Sequence, residues 1–255
     1  MRFPFRKAPR AAASNARPPR PRLFFQARPE VLYAIGDIHG CYRLLRRMEE
    51  FVIADAAGIR GEKWIVLLGD YIDRGPESAQ VLEHLTSVTP QGFRRFCLAG
   101  NHEDMLLSFL DHPSVDHRWL ALGGRETLRS YGISLPGPTA TMAEALSGVP
   151  NRHTEFVRTA PVLLSVPGFV FVHGGTRPDL PLHLQSDQDL MWRRPDPDAD
   201  PEVSDYVTVH GHTPASRVEV TRTRINLDTG AFVSGRLSCL RLMRGGRVSV
   251  TTLQL

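Results

Sequence analysis

The stretch "VLYAIGDIHG" (residues 31–40) opens with five largely apolar residues and closes with a Gly, an Asp and, two positions on, a His. A short apolar run bounded by glycine predicts a strand buried on both faces, as in a parallel sheet. In "CYRLLRRMEEFVIADAAG" (41–58), Leu44, Leu45, Met48, Phe51 and Val52 recur at helical spacing, and Gly58 supplies a stop. "WIVLLGD" (64–70) repeats the strand pattern. A helix is predicted around "SAQVLEHLTSV" (78–88), and "FRRFCLAGN" (93–101) gives a third strand. This alternation implies a parallel sheet with right-handed crossovers.

The pattern changes further on. Residues 102–160 read as mostly helical, broken by "GISLPGPT" (132–139) and by Pro150. "GFVFVHGG" (168–175), "YVTVHGHT" (206–213), "RVEVTRTRINLDTG" (217–230), "GRLSCLRLM" (235–243) and "GRVSVTTLQL" (246–255) then read as short strands with turn residues between them. The expected fold is α/β: two mixed β-sheets packed as a sandwich with helices outside. One domain over 31–255 is expected, because no linker or internal repeat interrupts that range.

The chain has 255 residues and a formal charge of +4. Residues 1–29 hold eight basic side chains, six prolines and no acid, so the high pI belongs to this arm. Residues 1–30 are expected to be disordered and dispensable for chemistry. A solvated tail is the plain reading, and contact with nucleic acid, anionic lipid or an acidic partner is the lesser alternative. No apolar stretch approaches the ~18 residues that span a bilayer. Cys41, Cys97 and Cys239 are widely separated and odd in number, which points to a reducing, cytoplasmic setting rather than a disulfide framework.

Four predicted strands end in Gly followed by a metal-capable side chain: Gly36-Asp37, Gly69-Asp70, Gly100-Asn101 and Gly211-His212. Ligands of open α/β sheets bind beyond the carboxyl ends of strands, so these side chains are expected to converge. His39 follows Asp37 closely, and His173 ends "FVFV". His212 is expected to be a metal ligand. His210, still inside its strand, is expected to pack behind the site. The donors Asp37, His39, Asp70, Asn101, His173 and His212 are all nitrogen or oxygen, which suits manganese, with iron and zinc as alternatives. Six ligands exceed the needs of one catalytic zinc and suffice for two divalent ions, whose excess charge would match a phosphate dianion.

Together "GDIHG" (36–40), "GDYIDRG" (69–75), "GNHE" (100–103), "HGG" (173–175) and "HGHTP" (210–214) resemble the PPP family of serine/threonine phosphatases, within the calcineurin-like metallophosphoesterase superfamily. The likeness is closest to the bacterial and phage branch. "NLDTGA" (226–231) stands where the eukaryotic branch carries an aromatic-cysteine motif. The resemblance implies that Asp37 and His39 bind a first ion, Asp70 bridges, and Asn101, His173 and His212 bind a second. It further implies His102 as general acid, Asp73 as the carboxylate orienting it, and Arg74 as a phosphate clamp. "LMWRRPD" (190–196) makes Arg194 the second clamp, with Arg193 as the alternative. The implied substrate is a phosphorylated protein or peptide. Symmetrical diadenosine tetraphosphate hydrolysis is the rival activity, and a non-catalytic metal-binding regulator the rival from another class. "YIDRG" and "GNHE" favour the protein-phosphatase side. In "WLALGGRETLRSYG" (119–132), Gly123-Gly124 implies a close backbone approach, and Trp119 is expected in the core.

Overall fold

The computed structural model describes residues 17–87, 89–134, 146–196 and 204–255. Two mixed sheets face each other. The five-stranded sheet has the order β11-β10-β2-β3-β4. Here β2 (Val31–Ile35), β3 (Lys63–Leu67) and β4 (Phe93–Cys97) run parallel, while β10 (Arg236–Met243) and β11 (Val248–Gln254) extend the sheet antiparallel. The six-stranded sheet has the order β1-β5-β6-β7-β9-β8. Its members are β1 (Arg22–Phe24), β5 (Leu163–Val166), β6 (Phe169–Val172), β7 (Val207–His210), β8 (Glu219–Val220) and β9 (Arg224–Asn226).

Alternation along β2 shows how the layers form. Leu32 and Ala34 point between the sheets, where they meet Val66, Phe171, Val209 and Leu240. Val31, Tyr33 and Ile35 point outward and are covered by α1 (Tyr42–Asp55), α2 (Ser78–Thr86) and α3 (Asn101–Asp111). Both faces of β2 are therefore dry, and its five residues are fully buried. That is the physical reason for an unbroken apolar run. On the far side, the helix Asp187–Trp192 packs Leu190 and Met191 on Val170 and Val172 of β6. The result is the expected helix–sheet–sheet–helix sandwich. The predicted break at 132–139 lies partly outside the described residues.

The expectation of a disordered arm over residues 1–30 fails for residues 17–30. β1 pairs in parallel with β5, and its neighbours dock through arginines. Arg17 bridges Asp104 and Asp111 on α3, at 2.7 and 3.0 Å. Arg20 is buried and donates to the carbonyls of Val157 (2.7 Å) and Ala160 (3.2 Å). Arg22 pairs with Asp187 at 2.6 Å. Local composition reads as solvated because the partners named here lie 87 or more residues away in sequence. No helix among the described residues is long and apolar enough to cross a membrane.

The segment is thus part of the fold. Deleting residues 1–29 is expected to lower Tm by about 5 °C or more, and Arg20→Ala alone by about 3 °C, since ~1 kcal/mol shifts Tm by roughly 2–4 °C in a chain of this size. Scanning calorimetry would check both. An unchanged Tm in the deletion would return the segment to a passive role.

Candidate metal centre

The carboxyl ends of strands from both sheets supply the site. Asp37 follows β2, Asp70 follows β3 and Asn101 begins α3 after β4. His173 follows β6 and His212 follows β7. Backbone bonds bind these ends together. The His39 N–H donates to the Asp70 carbonyl (2.8 Å), and the Gly211 N–H to the His173 carbonyl (2.9 Å). The His212 N–H donates to Asp37 Oδ2 (3.0 Å).

The recurring glycine now has a steric cause. A Cβ on Gly211 would lie 1.9 Å from Asp37 Oδ1, and one on Gly100 would lie 2.2 Å from Asp70 Oδ1. Each of these glycines makes room for a ligand carried by a neighbouring strand. Backbone strain collects here too. Five described non-glycine residues have positive φ: His39 (44°), Asp70 (50°), Asp73 (74°), Arg74 (68°) and His212 (65°). All five are predicted site residues. Such conformations cost on the order of 1–3 kcal/mol each and persist where surrounding structure over-determines them.

Two groups of side chains could each hold an ion. One is His39, Asp70 and His102; the other is Asp70, His173 and His212. Asp70 belongs to both, and its oxygens divide between them. Oδ2 lies 3.4 Å from His39 Nε2, and Oδ1 lies 3.3 Å from His173 Nε2. Asn101 Oδ1 adds an acceptor to the second group, 2.9 Å from His173 Nε2 and 2.8 Å from His212 Nδ1. Carbonyls of Ile72 (2.9 Å) and Leu68 (3.1 Å) hold the Nδ1–H groups of His39 and His173, which turns each Nε2 toward the cluster.

Asp37 lies outside both groups, behind His212. Its Oδ1 is buried without a hydrogen-bond partner, as is Oδ2 of Asp228. Two buried carboxylate oxygens without donors, beside histidines presenting lone pairs, fit a site built for cations. His210 stays on β7 with Nδ1 on the Gly211 carbonyl, in neither group. Burial lowers its pKa to about 4.

Charge balance points the same way. Burial opposes protonation of His173, yet Asp70 and Asp37 override it and lift its pKa to about 10. Burial and the charge of Asp228 push Asp37 well above the usual carboxylate range. His212 is pushed down to about 3 by burial, by His173 and by Arg194. The buried acids thus demand positive charge, and protons supply it when no ion does.

A second assembly adjoins the first. His102 Nδ1 bonds Asp73 Oδ2 at 2.6 Å. Asp73 is fully buried. The Trp119 indole N–H donates to the same oxygen (2.7 Å), and the Thr127 hydroxyl donates to Oδ1 (2.6 Å). Burial pulls the His102 pKa down, but Asp70 and Asp73 outweigh it and leave it raised. Arg74 spans the two assemblies, with Nη1 3.0 Å from His39 Nε2 and Nη2 3.1 Å from His102 Nε2. Arg194 is exposed, and its charge is felt at His212. Arg193 instead lines a separate cavity of about 510 Å³ with Asp179, Tyr206 and Arg224.

Sequence reasoning missed several supporting residues. Trp119 is in the core as expected, but its N–H also fixes Asp73. A buried indole needs an acceptor, and that was the available signal. Gly123 and Gly124 press on Arg74 and on the Trp119 ring respectively. Glu103 is buried and accepts from the backbone N–H groups of Asp70, Tyr71 and Gly100, each at 2.8 Å. Burial, then Asp70, raises its pKa to about 7.

A proton linkage follows from His173. With its pKa near 10 in the ion-free protein, it is protonated at neutral pH, and a cation must displace that proton. Affinity for manganese should therefore rise with pH, by up to about tenfold per unit between pH 6 and 8. Titration calorimetry at pH 7.5 in buffers of different ionisation enthalpy should register at least one proton released per chain. Buffer-independent heats would contradict the linkage.

Comparison with known proteins agrees with this geometry. Residues 31–245 match the calcineurin-like phosphoesterase family. The bis(5'-nucleosyl)-tetraphosphatase PrpE (asymmetrical) of Anoxybacillus flavithermus is 28% identical, over 85% of this chain and 92% of that protein. The protein of the same description from Bacillus subtilis is 27% identical over the same 85% of the chain and 92% of its own length. Among solved structures, a protein serine/threonine phosphatase from Saccharomyces cerevisiae superposes with a TM-score of 0.61 at 13% identity, covering 94% of this chain and 84% of that one. A cold-active protein-tyrosine phosphatase from Shewanella gives 0.58 at 20% identity, covering 91% and 82%. These two likenesses speak for the fold alone. With a family match spanning nearly all of the two-sheet body and every strand-end candidate donor, this chain belongs to the calcineurin-like phosphoesterases.

Proposed function

We propose that the chain hydrolyses phosphate monoesters with alkoxide leaving groups, phosphoserine and phosphothreonine in proteins first among them. The observation that carries this reading is the His102–Asp73 pair, braced by Trp119 and Thr127. A serine alkoxide is strongly basic and leaves poorly without a proton. A raised imidazole pKa keeps that proton available near neutrality. Asp37, His39, Asp70, Asn101, His173 and His212 would hold two divalent ions, manganese by preference. Ions there would supply an acidified water as nucleophile and screen the phosphate charge. Arg74, with Arg194 beside His212, would bind the phosphoryl oxygens through planar guanidinium groups. His102 would donate its Nε2 proton to the departing oxygen while Asp73 holds Nδ1.

A second reading is favoured by the curated relatives, whose names specify asymmetrical cleavage of bis(5'-nucleosyl) tetraphosphates. That differs from the symmetrical cleavage weighed from the sequence. The two readings make opposite demands on His102, because a nucleotide phosphate departs as a stable anion and needs little protonation.

His102→Asn separates them. On a phosphoserine peptide kcat should fall on the order of 10²-fold or more, the usual contribution of general acid catalysis. On para-nitrophenyl phosphate the loss should be much smaller, since that leaving group is already a good one. Rates would be compared at saturating manganese with metal content verified. Equal losses on both substrates would remove the general-acid role. Higher kcat/KM for wild-type protein on diadenosine tetraphosphate than on the peptide would transfer the proposal to the second reading.

A further inference from the structure

Phe232 stands at the rim of the metal centre on a short helix, Ala231–Ser234, bracketed by Gly230 and Gly235 in left-handed conformations (φ 65° and 66°). It is 38% exposed. A single exposed aromatic needs no explanation by itself. Its contacts do. The ring lies 5.4 Å from the His39 imidazole, edge to face at 80°, and the Arg74 guanidinium carbon sits 4.9 Å from the ring centroid.

Consider what holds the Arg74 guanidinium. Its nitrogens donate to Nε2 of His39 and Nε2 of His102. Both contacts are ones the chemistry must withdraw. His39 Nε2 is the atom that would ligate a cation, and His102 Nε2 is the atom that would face the leaving oxygen, so neither can be relied on to hold the guanidinium. Two restraints remain. One is the backbone, at φ 68°, with the Arg74 N–H facing the Gly123 carbonyl at 3.4 Å. The other is the face of Phe232. The backbone fixes where the side chain starts; at its far end the Asp228 carboxylate attracts the charge without direction, and among the described residues the ring of Phe232 is the aromatic face that the guanidinium lies over.

We infer that Phe232 is a positioning residue: its ring holds the Arg74 guanidinium by cation–π contact, so that the fork stays aimed at the phosphoryl site when His39 and His102 are otherwise engaged. This rests on the reading of Arg74 as a phosphate ligand, and it is independent of which ester is the substrate. An aromatic face attracts a guanidinium through its quadrupole, and an aliphatic side chain of similar bulk does not.

The experiment compares Phe232→Ala, Phe232→Leu and Phe232→Tyr in the manganese-loaded full chain, with inorganic phosphate as the probe. Binding is measured by titration calorimetry, and KM and kcat on para-nitrophenyl phosphate in parallel. Alanine and leucine should both weaken phosphate binding by about 5- to 30-fold, with a matching rise in KM, and tyrosine should stay within about twofold of wild type. Two bound ions should remain in each. In an Arg74→Ala background, Phe232→Ala should cost nothing further. Leucine equal to wild type, or loss of an ion in the alanine variant, overturns the proposal. If alanine destabilises the fold, the leucine–tyrosine pair still decides. Unchanged phosphate binding in Arg74→Ala alone overturns the clamp reading, and the Phe232 proposal with it.

Discussion

The Asp70 carboxylate is the interaction on which the centre turns. Its two oxygens divide between His39 on one side and His173 on the other, so both prospective ion sites share one buried charge. These histidines follow strands of different sheets, and Asp70 lies between them. Its main chain is equally committed. The Asp70 carbonyl accepts from the N–H groups of Ile38 and His39, and its N–H donates to Glu103. With φ at 50°, the residue sits in a conformation it would not adopt alone. Histidines from two sheets, a glycine close to Oδ1 and a carboxylate accepting from its N–H over-determine it.

From that point the site is held in place by a surrounding set of buried hydrogen bonds. Carbonyls of Ile72 and Leu68 turn the histidines, Glu103 gathers three backbone N–H groups, and Trp119 and Thr127 fix Asp73. Each supporting group is itself buried or half-buried. A hydrogen bond in such surroundings is stronger than in water, and a missing one is costlier. The charges of Asp70 and Asp73, held in these surroundings, leave the His102 pKa raised although burial alone would lower it.

Much of this was legible in the sequence, for a physical reason. A strand covered on both faces must be apolar throughout, and a ligand at its end must be reached through a glycine where neighbouring strands crowd together. Both demands leave local marks, as in "WIVLLGD" and "VTVHGH", so the sandwich could be read directly, and with it the placement of Asp37, Asp70, Asn101 and His212 at strand ends. Supporting roles leave no such mark. Trp119 looks like any buried aromatic, and its hydrogen bond to Asp73 spans 46 residues. Residues 17–30 misled for the same reason. Arginines and prolines resemble a solvated tail until Arg17, Arg20 and Arg22 meet acceptors far along the chain. Phe232 sits just past "NLDTGA", where only the folded arrangement places its ring over Arg74.

The centre straddles the two sheets: Asp70 and Asn101 come from one, His173 and His212 from the other. Between the sheets lie Leu32, Val66, Phe171 and Val209, whose attraction is non-directional. Apolar contact of that kind holds two layers together without strongly opposing a small slide of one across the other. Metal–ligand bonds are short and directional, and they would oppose such a slide. Ions seated among these side chains would thus act as a rivet through the laminate, converting two adherent layers into one rigid body along the edge where the reacting groups must meet.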